Sequence, residues 1–173
     1  MLLYCVHKSG IGYVVDDFIC DGTAEETVRT IKQREMGKKP YMRIIDPLSK
    51  SADMITRKTL FAELYRLGLD DTAFKIASKD IHGGIIRMRD AFASGKLFIC
   101  DSATITTIQL ENWIWNEKKK HLEFTTGKSQ TPIKNDDDMP ENLYRILLLD
   151  AKWVNPNNYI SDGDMVYNHY ATA

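Results

Sequence analysis

This sequence predicts an α/β or α+β protein, a sheet of mixed strands with helices on its faces. Three observations carry that expectation. Short strand-like runs alternate with apolar residues at helical spacing, capping and stop signals bracket the helical runs, and a glycine-bearing turn separates the first two strands. At 173 residues and 43% hydrophobic content, the chain is sized for one domain with a sizeable core.

Leu2 to His7 and Ile11 to Ile19 are strand-like runs around Lys8-Ser9-Gly10, which signals a hairpin. Thr23-Ala24-Glu25-Glu26 has the spacing of a capping box, in which the threonine oxygen and the glutamate carboxylate each accept an N–H that the first helical turn leaves open. Val28 and Ile31 follow at helical spacing, and Gly37 is the stop. Tyr41-Met42-Arg43-Ile44-Ile45 reads as a buried strand closed by Asp46-Pro47, because Pro47 has no N–H to continue the ladder. Leu60, Phe61, Leu64 and Leu67 mark a second helix that stops at Gly68. Ala73 to Ser78 has no decisive period. Ile85, Met88, Ala91 and Phe92 mark a third helix before Gly95, with Gly83-Gly84 as a flexible turn leading into it. Leu97 to Cys100 reads as a strand, and Thr104 to Trp115 as a helix with Ile105, Ile108 and Trp115 inward. Asn116 to Asn135 is polar and reads as a hairpin or a long loop. A last helix runs from Asp138 to about Asp150 with Leu143, Ile146, Leu147 and Leu149 on its apolar side. Residues 151–173 have little period and read as an ordered extension or a tail, so the domain is drawn over residues 1–150.

Composition narrows the function classes. A net charge of -1 provides no global basic face for nucleic acid, so any such face is local. The candidate is Lys118, Lys119 and Lys120 with His121, Lys128 and Lys134. No apolar run has membrane-spanning length and no leader opens the chain, so a soluble, intracellular protein with no membrane partner is expected. Cys5, Cys20 and Cys100 are odd in number and widely spaced, which predicts reduced, buried thiols and neither a disulfide frame nor a zinc site. Gly127-Lys128-Ser129 matches the end of a phosphate-binding loop, but Leu122 stands where such a loop needs its first glycine. His7, His82, His121 and His169 have no ligand spacing.

The chemistry concentrates in Lys134-Asn135-Asp136-Asp137-Asp138-Met139-Pro140-Glu141, with three consecutive carboxylates at the mouth of the last helix and a fourth one turn on. Asp137 and Glu141, or Asp138 and Glu141, would share a helix face toward a common ligand, for which a divalent cation is the natural occupant. Helix capping needs only one acid or two. Asp46 is the distant partner, at the carboxyl end of a strand, where ligands gather in open α/β sheets. Its other reading is a turn-initiating Asp before Pro47. A basic loop beside metal-holding acids is what a phosphodiester substrate requires.

In order and wording, these segments resemble the C-terminal nuclease domain of the large terminase subunit of tailed bacteriophages. The resemblance rests on Asp46-Pro47, Gly84-Ile85-Ile86-Arg87-Met88-Arg89, Gly95-Lys96-Leu97, Glu111 to Trp115, and Lys134 to Arg145, and covers most of residues 11 to 149. It implies an α/β, ribonuclease H-like fold whose mixed central sheet is flanked by helices. The implied activity is endonucleolytic cleavage of double-stranded DNA concatemers during packaging, with two Mg²⁺ or Mn²⁺ ions about 3.5–4 Å apart clamping the attacking and departing oxygens. Asp46 and Asp137 would be the catalytic, metal-holding acids, with Asp138 and Glu141 in reserve. The implied partners are DNA, the terminase ATPase domain, the small terminase subunit and the portal protein, in the cytoplasm of a bacterial host cell. One departure stands out. The family's site also takes an Asp from a first strand ahead of the hairpin, and no Asp precedes Asp16 here. The expectation is a sheet with its first strand missing, as a fragment with an incomplete site or with another group substituting. The competing classes are another ribonuclease H-like nuclease, such as a resolvase, and a non-catalytic module that binds DNA or protein.

Overall fold

A computed structural model describes residues 1–51, 59–70, 72, 74–114 and 138–150, and the backbone of residues 169–172. In chain order these form β1 (Leu2–Val6), β2 (Gly12–Asp17), α1 (Ala24–Glu35), β3 (Met42–Ile45), a 3-10 turn (Pro47–Lys50), α2 (Leu60–Arg66) and β4 (Phe74–Ile76). There follow α3 (Ile81–Ala93), β5 (Leu97–Ile99), α4 (Thr104–Glu111), α5 (Asp138–Leu148) and β6 (His169–Thr172).

The strands make one six-stranded sheet in the order β4-β3-β6-β1-β2-β5. The β1–β2 hairpin closes where His7 N–H donates to Ile11 O and Gly10 N–H to His7 O, each at 2.8 Å, with Gly10 at φ +81°, a conformation that favours glycine. β5 runs parallel to β2, and β4 parallel to β3. β6 lies between β1 and β3, antiparallel to the first and parallel to the second. The inner position flanked by β1 and β3 is thus filled by the strand that comes last in sequence.

Neighbouring strand residues point to opposite faces, and here both faces are covered. Leu2, Tyr4, Val14 and Ile44 join Met88, Leu143 and Ile146 in a core beneath α3, α4 and α5. Leu3 and Ile45 join Val28, Ile31 and Leu64 beneath α1 and α2. The result is a mixed α/β sandwich of helices, sheet and helices.

The α1 capping box forms as the spacing predicts: Glu26 N–H donates to Thr23 Oγ1 at 3.3 Å, and Thr23 N–H donates to Glu26 Oε2 at 2.8 Å. Three segments depart from expectation. Ala73 to Ser78 contributes a short strand, β4, whose three residues are too few to show a period. Gly83 and Gly84 lie inside α3, which starts at Ile81 because Asp80 caps it by accepting from Gly83 N–H at 2.9 Å. Ile108 is 59% exposed where an inward position was expected. Helix α4 instead buries Thr106 and Gln109, because these two polar residues make the contacts that fasten it to its neighbours, described below. The three thiols are free, as expected, but half-buried.

Arg43 on β3 is buried with Glu35 of α1, their side chains 1% and 6% exposed and 2.8 Å apart. Removing one member of such a pair leaves a charge in a poorly solvated place, whereas replacing both by apolar groups is often neutral. Arg43→Met is expected to lower the unfolding free energy by about 3–5 kcal/mol, and Arg43→Met with Glu35→Met to recover most of that loss in denaturant titrations.

Burial raises the Tyr4 hydroxyl from 10.0 to about 12, and the Cys5 thiol from 9.0 to about 11. A folded-state pKa above the unfolded value contributes stability that is complete below the unfolded pKa and is lost as pH rises through the folded one. For Tyr4 that window is pH 10 to about 12. The denaturant midpoint is expected to fall across this window, and Tyr4→Phe to flatten that fall and remove one late-ionising phenol from the ultraviolet titration.

Candidate functional site

Asp46 leaves β3 at the carboxyl edge of the sheet, just after the buried pair Ile44 and Ile45. Its two carboxylate oxygens have different tasks. Oδ1 accepts from Leu48 N–H at 2.6 Å and so caps the 3-10 turn, with Pro47 in the first position, where a missing donor costs nothing. Oδ2 faces α5 and pairs with Arg145 Nη1 at 2.6 Å. The second fork nitrogen, Arg145 Nη2, lies 3.1 Å from Glu141 Oε2, one turn back on the same helix. The turn-initiating reading of Asp46 thus holds on Oδ1, while Oδ2 is engaged by an arginine. The Arg145, Asp46 and Glu141 side chains are 12%, 16% and 17% exposed, shielded enough for their charges to be felt strongly. Arg145 Nε is buried and has no hydrogen-bond partner among the described residues.

Helix α5 is held firmly enough to fix this geometry. Met139, Leu143 and Ile146 are fully buried, each contributing roughly 1.5–3 kcal/mol of apolar burial. Gln109 Oε1 of α4 accepts from Met139 N–H at 2.8 Å in the first turn, and Arg87 of α3 donates to the Leu147 carbonyl at 3.2 Å in the last. Asp17 of β2, itself buried, accepts from Thr106 N–H and so caps α4, whose own N-cap residue Ala103 has no side chain to do this. Asp16 pairs with Arg34 at 2.8 Å. The two acids of β2 therefore serve the scaffold.

Of the sequence-predicted site residues, Asp46 and Glu141 come together. Asp138 stands exposed in the first turn of α5, lining a cleft of about 400 Å³ with Met1, Asp21, Leu64 and Met139. Asp137, Lys118, Lys119, Lys120, Lys128 and Lys134 lie outside the described residues. Among the described residues, no three His, Cys, Asp or Glu side chains converge as a metal-holding group. Arg145 is the member that sequence reasoning missed. Its spacing of four from Glu141 signals a helix pair, but its link to Asp46 crosses from helix to strand.

No family model and no curated protein matches the chain. Among solved structures, the large terminase from a thermophilic bacteriophage matches with a TM-score of 0.69 and 18% identity, over 85% of this chain and 35% of that one. The fold is terminase-like. The chain thus corresponds to about a third of that terminase's length.

Asp46 and Glu141 bring carboxylate oxygens, the donor type hard divalent cations take, to the edge of this terminase-like sheet. The Arg145 guanidinium already lies between Asp46 and Glu141 and pairs with both. No helix among the described residues is long and apolar enough to cross a membrane.

Proposed function

We propose that the chain is the metal-dependent endonuclease domain of a viral DNA-packaging terminase, cleaving double-stranded DNA. The observation that carries the reading is the convergence of Asp46 and Glu141, both on the Arg145 guanidinium, at the carboxyl edge of a terminase-like sheet. The placing of β6, antiparallel to β1 and parallel to β3, supports taking the sheet as ribonuclease H-like, with β6 where the family's first strand would lie. The residues His169-Tyr170-Ala171-Thr172 bring no Asp to that position.

On this reading Asp46 and Glu141 hold Mg²⁺ or Mn²⁺ together with Asp137, while Asp138, exposed in the first turn of α5, does not converge with the described pair. The bound ion supplies Lewis-acid stabilisation of the phosphoryl oxygens and a more acidic water. Lys118, Lys119, Lys120, Lys128 and Lys134 follow the phosphate backbone by charge alone, so binding weakens as salt rises. The partners are DNA, the ATPase domain, the small subunit and the portal protein, in the host cytoplasm.

Supercoiled plasmid incubated with the full chain and Mn²⁺ is expected to be nicked or linearised, and a chelator or Asp137→Ala to stop the cleavage. A folded chain that leaves plasmid intact sinks the enzymatic reading. It would favour a non-catalytic module binding DNA or protein, to which the arginine already paired with both acids also points. Cleavage restricted to branched DNA would favour a resolvase.

A further inference from the structure

We propose that Arg145 is a tethered counter-cation, which holds Asp46 and Glu141 until a divalent ion displaces it from both. The inference rests on the metal site proposed above and names how that site is regulated.

Three observations carry it. First, Arg145 and an ion compete for the same carboxylate oxygens. Asp46 Oδ1 is committed to Leu48 N–H, so Asp46 can offer an ion Oδ2 without giving up its turn, and Oδ2 is the atom that Arg145 Nη1 holds at 2.6 Å. Glu141 Oε2 is held by Nη2 in the same way. Second, the charges exclude joint occupancy. A guanidinium keeps its charge at all ordinary pH, so it leaves the trio with a single net negative charge, and a divalent ion added on top would reverse the sign at a shielded place. The ion neutralises both acids only when the guanidinium has moved. Third, nothing ties down the base of the side chain. Arg145 Nε makes no hydrogen bond among the described residues, so swinging the guanidinium away breaks the two fork contacts and its approach to the Tyr144 ring, 6.0 Å to the centroid, and loses nothing at Nε.

The consequence is a threshold. Without an ion the two acids stay paired with the arginine. With an ion the freed planar fork stands beside the metal, where it matches the two oxygens of a phosphodiester.

The test is Mn²⁺ binding to the full chain, read from the electron paramagnetic resonance signal of free Mn²⁺. Arg145→Gln is expected to tighten binding on the order of tenfold or more, the scale of removing one competing charge from a shielded site. Arg145→Lys, which keeps the charge, is expected to stay close to wild type. Equal or weaker binding by Arg145→Gln, with wild type binding normally, overturns the counter-cation and leaves the metal site standing. No Mn²⁺ binding by either protein overturns both. Should Arg145→Gln fail to fold, wild-type chain carrying ¹⁵N-arginine decides the matter. The Arg145 Nε–H resonance, assigned with Arg145→Lys, is expected to shift and saturate with Mg²⁺ in step with calorimetric binding, and a resonance unmoved by bound Mg²⁺ overturns the proposal.

Discussion

Asp46→Asn is expected to remove metal-dependent plasmid cleavage by about a hundredfold or more while leaving the fold intact. The magnitude follows from comparison. Losing a residue that merely supports a metal ligand costs about 10–100-fold, so losing a ligand's charge should cost at least that. Asparagine makes the experiment clean, because its amide oxygen can still accept from Leu48 N–H, which Asp46 Oδ1 now does at 2.6 Å. What disappears is the charge that meets Arg145 Nη1. Circular dichroism should therefore change little, with at most a modest fall in the thermal midpoint because Glu141 still pairs with the arginine. If instead cleavage is unaffected and only the melting curve moves, Asp46 is a turn-former and ion-pair partner and no more. Asp46→Ala separates the two roles further, since it also deletes the cap, typically worth about 1 kcal/mol.

Gly84→Val should be the most damaging single change to stability in the scaffold. Gly84 sits on α3 where that helix meets α5, and a Cβ there would run into the Tyr144 ring, with Tyr144 Cγ at 2.9 Å and Cβ at 3.0 Å. Tyr144 cannot give way: it is 1% exposed, and its ring stacks on Trp113 with centroids 6.4 Å apart. Overpacking a closed interface costs about 1–3 kcal/mol and sometimes more. Valine should reach the upper end, because its branches also crowd the turn before it. The effect should spread to function, since Tyr144 and Arg145 are neighbours and separating α3 from α5 would move the arginine from Asp46. Gly83→Ala is the matched comparison. Its Cβ would meet only the carboxylate end of Asp80, whose displacement costs no more than the α3 cap, about 1 kcal/mol, so denaturant titrations should show a smaller loss. Equal losses at the two glycines would show that the close helix approach does not matter.

How much of this was legible depended on range. The Thr23–Glu26 capping box, the hairpin, the Asp46 strand and helices α1, α2 and α5 each rest on contacts between residues near in sequence, and such contacts leave local patterns. Gly84 was visible as a glycine, yet the ring that requires it belongs to Tyr144 on a distant helix, so it passed for a flexible turn. The α4 cap was illegible for the same reason: its carboxylate comes from Asp17 on β2. Ile108 misled because a short helix held by Thr106 and Gln109 need not bury its largest apolar residue. At the site, Asp46 and Glu141 were readable as isolated acids. The cation between them was not, because Arg145 looks from sequence like an ordinary helix-pair residue.

The position of β6 has a bearing on how the molecule is made. Strands β3 and β4 form one part of the sheet, β1, β2 and β5 another, and β6 is the seam joining them. Pairing Leu2 with Ala171 closes a loop that spans nearly the whole chain. Such distant contacts carry a large loop-closure cost and slow folding. During synthesis, the two parts of the sheet must wait with β1 and β3 edges open until the last strand leaves the ribosome, which is when this protein would most need a chaperone.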